Sequence, residues 1–183
     1  MPATQNFRDG LLAAVPTLRA FAVTLAKNTD RADDLVQETL VKAWDKQDSF
    51  QPGTNLKAWL FTILRNEFYS QMRKRRREVE DSDGSITARL SVHPSQDGSS
   101  DLADFRKALA LLPEDQREAI ILIGASGFSY EEAAEICGCA VGTIKSRVSR
   151  ARARLQEILS VDGQSDFGPD AISTQVTNSV LVA

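Results

Sequence analysis

Cysteine and histidine are almost missing from this 183-residue chain, which has two cysteines, Cys137 and Cys139, and one histidine, His93. Two cysteines one residue apart, with the histidine in a distant polar stretch, exclude a structural zinc site of the usual spacing. They read instead as small apolar fillers beside a turn. Long apolar runs are missing too. The longest uninterrupted one, near Ile120 to Ile123, is far too short to cross a bilayer. No basic segment followed by an apolar core opens the chain, so no signal peptide is expected. These absences predict a cytoplasmic protein with no membrane role. There is also no glycine-rich phosphate loop and no convergent set of acids, bases and nucleophiles, so an enzyme is the weakest reading. No cofactor and no metal are expected. What remains, 42% hydrophobic and 26% charged residues, is the composition of a soluble globular protein.

Net charge is small, but charge is strongly segregated. The net charge is −3, yet Arg65 to Arg77 carries six bases and one acid, and Glu78 to Asp104 carries seven acids and one base. Screening confines each cluster's influence to about 10 Å at moderate salt, so local sign matters more than the total. Two basic patches in a weakly acidic chain suggest poor DNA binding alone and good binding within a complex.

The most informative stretch is Ser129 to Arg154, SYEEAAEICGCAVGTIKSRVSRARAR. Ser129 followed three residues later by Glu132 is a capping-box signature. Ala133, Ala134 and Ile136 make a short apolar helix, and Gly138 supplies the left-handed residue that ends it. A second helix begins near Val141, with Ile144, Val148, Ala151 and Leu155 at helical spacing. Thr143, Lys145, Ser146, Ser149 and Arg150 lie opposite that stripe. Thr143 to Arg154 holds five bases and no acid. A plain helical hairpin with a solvated face would mix both signs. Acids on the first helix and bases on the second favour a helix-turn-helix, whose second helix enters the DNA major groove.

The remaining chain reads as helices throughout. A first helix is expected from Phe7 to Lys27, its apolar face Leu11, Leu12, Val15, Leu18, Ala22 and Leu25, with Pro16 kinking or splitting it. Asn28-Thr29-Asp30 offers caps for a second, with Val36, Leu40, Ala43 and Trp44 as its stripe. Asp34, Gln37, Glu38 and Val41 lie off the stripe, on a solvated face with room for a partner helix. Pro52-Gly53 marks a turn, and Thr54 or Asn55 can cap a helix from Leu56 to Arg77. That helix is apolar nearly all round at first and ends in QMRKRRR. Phe68, Tyr69 and Met72 precede the basic run, a pairing suited to stacking on bases and contacting phosphates. Glu78 to Ser100 reads as a linker. Leu102, Phe105, Leu109 and Leu112 mark another helix, and Pro113 opens the next. The fold class is therefore all-α, two small helical domains joined by a flexible acidic linker.

Three stretches in order carry a family resemblance: DRADDLVQETLVKAW, NLKAWLFTILRNEFYSQMRKRRR and LPEDQREAIILIGASGFSYEEAAEICGCAVGTIKSRVSRARARL. They resemble the polymerase-binding helix, the −10 helix and the −35-reading domain of the extracytoplasmic-function (ECF) sigma factors of bacterial RNA polymerase. The third stretch is most similar to the alphaproteobacterial general-stress-response subgroup. The resemblance implies sigma domain 2 at 1–79, a linker at 80–100, sigma domain 4 at 101–160 and a disordered tail at 161–183. It implies that Asp33, Asp34, Gln37 and Glu38 face core RNA polymerase. It implies that the loop from Phe50 through Gly53, Thr54 and Asn55 holds a flipped −10 base. Arg65, Asn66 and the run Arg73, Lys74, Arg75, Arg76 and Arg77 would touch promoter DNA near the melting start. Thr143, Lys145, Ser146, Ser149 and Arg150 would meet the −35 element, with Arg147, Arg152 and Arg154 nearer phosphates. The implied partners are core polymerase, promoter DNA and an anti-sigma protein.

Two rival readings make different predictions. A helix-turn-helix repressor would be a dimer on a palindrome, whereas a sigma factor is expected to be a monomer when free. A sigma-like decoy that only titrates an anti-sigma factor has no need of DNA-facing bases, and this chain has two clusters of them. Each cluster is small, and the linker is expected to let the two units move independently, so weak DNA binding by the free chain follows.

Overall fold

The structure, a computed structural model, describes residues 2–81 and 100–159; most of the expected linker and the expected tail lie outside them. Among the described residues every regular element is helical: α1 (Pro2–Ala26), α2 (Thr29–Asp45), a 3₁₀ turn (Gln47–Ser49), α3 (Leu56–Asp81), α4 (Ser100–Leu111), α5 (Glu114–Gly124), α6 (Tyr130–Cys137) and α7 (Val141–Leu159).

Pro16 does not split α1, which runs through it unbroken. Proline removes one hydrogen bond, to the carbonyl of Leu12, and both residues lie on the exposed side where water can satisfy that carbonyl. Leu12 is accordingly 59% exposed rather than on the buried face, which consists of Leu11, Ala14, Leu18, Phe21, Ala22 and Leu25. By length and composition alone residues 6–26 are apolar enough to cross a membrane, although no long uninterrupted apolar run lies among them. In the fold this helix supplies one wall of the core.

Asn28 caps α2 by accepting from the Arg31 N–H at 2.9 Å. The buried stripe of α2 is Ala32, Leu35, Val36, Thr39 and Ala43. Trp44 is not in it and stands 43% exposed. Thr39 takes a core position because its hydroxyl donates to the Leu35 carbonyl at 2.7 Å, leaving its methyl to pack. Asn55 caps α3, its Oδ1 accepting from the Ala58 N–H at 3.2 Å, and α3 continues to Asp81, past the expected end at Arg77.

In this structure the two halves are packed against each other. One apolar cluster runs through both, from Leu18, Phe21, Leu60 and Leu64 to Leu122, Phe128, Ile136 and Ile144. Phe61 is the junction: it stacks on Phe21 with ring centroids 4.9 Å apart and meets Phe128 edge-on, also at 4.9 Å. Units this small bury too little surface on their own, and joining them covers what each leaves open. A smaller cluster, Ala108, Leu112, Ala151 and Leu155, ties α4 to α7.

Candidate nucleic-acid and partner interfaces

The helix-turn-helix is built by local chemistry. Ser129 Oγ accepts from the Glu132 N–H at 3.0 Å, and the Glu132 carboxylate accepts from the Ser129 N–H at 2.9 Å. Those bonds, with one from Asn55, hold the Glu132 carboxyl below the usual glutamate range. Gly138 ends α6 at φ +63°, a backbone that side chains with a Cβ rarely adopt. Helix α7 then buries Ile144, Val148, Ala151 and Leu155. Cys137 is buried beside the turn, and burial pushes its thiol up to about 12, so it acts as packing rather than as a nucleophile.

The outer face of α7 presents Lys145, Ser149, Arg150, Arg152 and Arg154 to solvent, with Thr143 and Ser146 half-buried. Arg150 donates to Ser146 Oγ at 3.2 Å, and the Lys145 ammonium lies 5.8 Å from the Tyr130 ring centroid. Arg147 differs from the other bases. It turns inward, with Nε 3.1 Å from Asp115 of α5, and it donates toward the Cys139 sulfur at 3.8 Å. In this arrangement it braces the helix instead of reaching for phosphate.

The residues expected at the −10 element are divided. Gly53 turns the loop at φ +92°. Phe50 is not free at its tip, for it packs against Trp59 and Phe7 at 5.4 and 5.9 Å and anchors the loop to α1 and α3. Thr54 closes the turn by donating to the Gln51 carbonyl at 2.8 Å. Asn66 and the run 73–77 are exposed. Arg65 and Asn55 instead face the second half. Arg65 Nε donates to Glu118 at 2.6 Å, and Asn55 donates to Glu132 at 2.6 Å. Glu118 is 1% exposed, and burial pushes its carboxyl upward, offset only in part by Arg65.

Sequence reasoning did not pick out Glu118 or Lys57. The one available signal was a charged pair, Arg117-Glu118, at the mouth of an apolar run in a helix with little polar surface. Arg117 is also buried and donates to the Ala110 and Leu112 carbonyls at 3.4 and 3.2 Å, closing the end of α4.

On α2, Asp34, Gln37 and Glu38 are exposed beside Val41, itself 60% exposed. Asp33 is engaged by Arg19 through two hydrogen bonds of 2.6 and 3.0 Å. Lys42 lies 3.6 Å from Glu38 and pairs closely with Glu67 of α3.

Comparisons with known proteins match both halves of the chain. The profile of Sigma-70 region 2 matches residues 12–78 and that of Sigma-70 region 4 matches residues 102–155. The chain is 66% identical over 170 residues to the ECF RNA polymerase sigma factor EcfG of Rhodopseudomonas palustris, covering 93% of this chain and 94% of that one. Its fold matches the sigma factor RpoE in complex with the anti-sigma factor NepR from Bartonella quintana, at 69% identity and a TM-score of 0.78, over 87% of this chain and 99% of that one. It also matches CnrH, a sigma factor of Cupriavidus metallidurans, in complex with the cytosolic domain of CnrY, at 29% identity and a TM-score of 0.62, covering 87% and 91%.

Proposed function

The chain belongs to the ECF sigma factors of RNA polymerase, and on that premise we propose which of its surfaces does which part of a sigma factor's work. The exposed face of α2, Asp34, Gln37 and Glu38 with Val41 beside them, docks on core RNA polymerase. The loop at Gly53–Asn55 and the edge of α3, Arg65, Asn66 and residues 73–77, meet the −10 element. The outer face of α7 reads the −35 element in the major groove, with Arg150 and Lys145 nearest the base edges. Together these surfaces direct promoter-specific initiation, and catalysis stays with the polymerase. The work is cytoplasmic, and its regulon is that of the general stress response.

The observation that supports this most is the outer face of α7: bases without acids, carried on a capped helix-turn-helix. Lys145 and Arg150 lie exposed on the outer face of the second helix, and a carboxylate there would repel phosphate.

A small anti-sigma protein is the expected regulator. The solved relative RpoE is in complex with the anti-sigma factor NepR, and its overlap with this chain takes in both halves of the fold.

Run-off transcription with purified core polymerase on stress promoters tests the function. Initiation that depends on this chain is the expected result. Failure on every promoter, with anti-sigma binding intact, would leave a decoy that titrates the regulator.

A further inference from the structure

A cleft of about 240 Å³ opens between the end of α1, the start of α2, α3 and the start of α5. Four cations line it, Lys27, Arg31, Arg75 and Arg117, against one acid, Glu114. Phe68 and Met72 of α3 give it an apolar side.

Two of the cations converge on one neutral atom. The Lys27 ammonium and the Arg117 guanidinium both donate to the Ala110 carbonyl, at 3.2 and 3.4 Å. Arg117 is 3% exposed, and its buried Nε has no hydrogen-bond partner among the described residues. One oxygen of Glu114 is buried in the same condition, so it pairs with neither cation. Burial and the nearby Arg117 push the Lys27 ammonium below its ordinary value, and Glu114 offsets this only in part. Lys27 also stands at φ +54°, the left-handed backbone that glycine or asparagine ordinarily supplies past a helix end. A residue needed only to end α1 would be one of those two. Here the position carries a cation that lines the cleft.

A gap left by imperfect packing would be apolar and dry. A buried guanidinium nitrogen without a partner is costly. Water can accept its hydrogen bond but leaves the charge unmatched. A phosphate does both, since its oxygens accept from guanidinium and ammonium alike and its charge balances theirs. Four cations against one acid suit a dianion better than the single charge of a carboxylate. The volume lies below the about 300–1,000 Å³ of sites for drug-sized ligands, so the occupant is small. The side formed by Phe68 and Met72 calls for an apolar or aromatic body on it.

We propose that this cleft binds a small organic phosphate, the phosphate on Lys27 and Arg117, Arg31 and Arg75 at the mouth, and the body along Phe68 and Met72. Arg75 is the one residue the site shares with the surface assigned above to the −10 element.

Isothermal titration calorimetry on the full chain tests it with phenyl phosphate, inorganic phosphate and benzoate. Phenyl phosphate should saturate a single site and bind tighter than either of the others. Lys27→Met keeps the stem and removes the charge. It should weaken phenyl phosphate at least about tenfold, the worth of one charge-assisted hydrogen bond. Arg31→Ala, at an exposed position, should weaken it by a smaller factor, and decides alone if Lys27→Met does not fold by circular dichroism. Arg106→Ala removes an exposed cation of α4 outside the cleft and should change nothing. Absence of saturable binding, or binding unchanged in the cleft variants, overturns the proposal. So does an equal loss with Arg106→Ala, which would mean diffuse attraction of anions to the surface. Inorganic phosphate or benzoate binding as tightly as phenyl phosphate refutes an organic phosphate as the occupant. A short single-stranded DNA that displaces phenyl phosphate and itself loses affinity on Lys27→Met would put a nucleic-acid phosphate in the cleft, and that too removes the small ligand.

Discussion

Helices α3 and α7 are the two basic helices of the molecule, and they are presented in opposite ways. On α7 the apolar stripe is continuous, so the bases opposite it are left to solvent with their geometry fixed by the core beneath. On α3 the apolar residues surround the first half of the helix, and a base placed there, Arg65, is drawn into contact with the other half of the protein. Of the two surfaces proposed to meet DNA, one is open to solvent and the other is partly engaged within the protein. Basic residues mark both, but burial decides which is available.

The largest expected effect bears on what joins the two surfaces. Phe61→Ala removes a fully buried ring packed against both halves and should lower stability by about 3–5 kcal/mol in denaturant unfolding. A loss below about 1 kcal/mol would contradict the burial of Phe61.

Next comes the contrast itself. Arg150→Ala should weaken binding to a −35 duplex by about 1–3 kcal/mol and relax selectivity at one position. Arg65→Ala should leave duplex binding by the free chain unchanged and show its loss only with core polymerase. Equal losses for the two variants in the free chain would erase the distinction between the open and the engaged surface.

Ser129→Ala removes the capping hydroxyl of α6 and should reduce stability by about 1 kcal/mol, as measured by chemical denaturation. Smaller still is the folding effect of reversing charge at Asp34 and Glu38. Exposed groups contribute little, within about 0.5 kcal/mol, while capture of core polymerase should fall clearly. Early melting with normal capture would misplace the polymerase face.

The finest test is of pH. The carboxyl of Glu132 is held below the ordinary 4.5 by its bonds from Ser129 and Asn55. Its contribution is therefore present above that value and is lost as pH falls through the depressed one. Glu118 runs the other way. Burial raises its carboxyl, so its contribution is full below 4.5 and declines as pH rises through the raised value. Acid titrations of Glu132→Gln and Glu118→Gln should bend the stability profile in opposite directions, and parallel curves would contradict the burial of Glu118.

What could be read in the sequence was local. The capping box at Ser129, the break at Gly138 and the stripe of α7 each depend on neighbours within a few residues, and each stands where the pattern put it. The stripe of α2 was misread at Trp44 because residue type was weighed above phase. Thr39, polar in name, fits the buried phase, and Trp44 does not. Leu12 misled in the same way. The meeting of Arg65 with Glu118 joins residues 53 apart in the chain. No periodicity encodes such a contact; it follows from how the surfaces left over by two small cores fit together.

Helix α3 has a mechanical consequence as well. At 26 residues it is a single rod of about 39 Å at the helical rise of 1.5 Å per residue. Phe61, near one end, is gripped between Phe21 and Phe128, and the run 73–77 projects near the other. Over the intervening distance of about 24 Å, a tilt of about 10° at the grip swings Arg77 by about 4 Å. That exceeds the rise of about 3.4 Å between successive phosphates of one strand. A change in the ring packing around Phe61 that tilts the helix is therefore expected to reposition the cations at its far end.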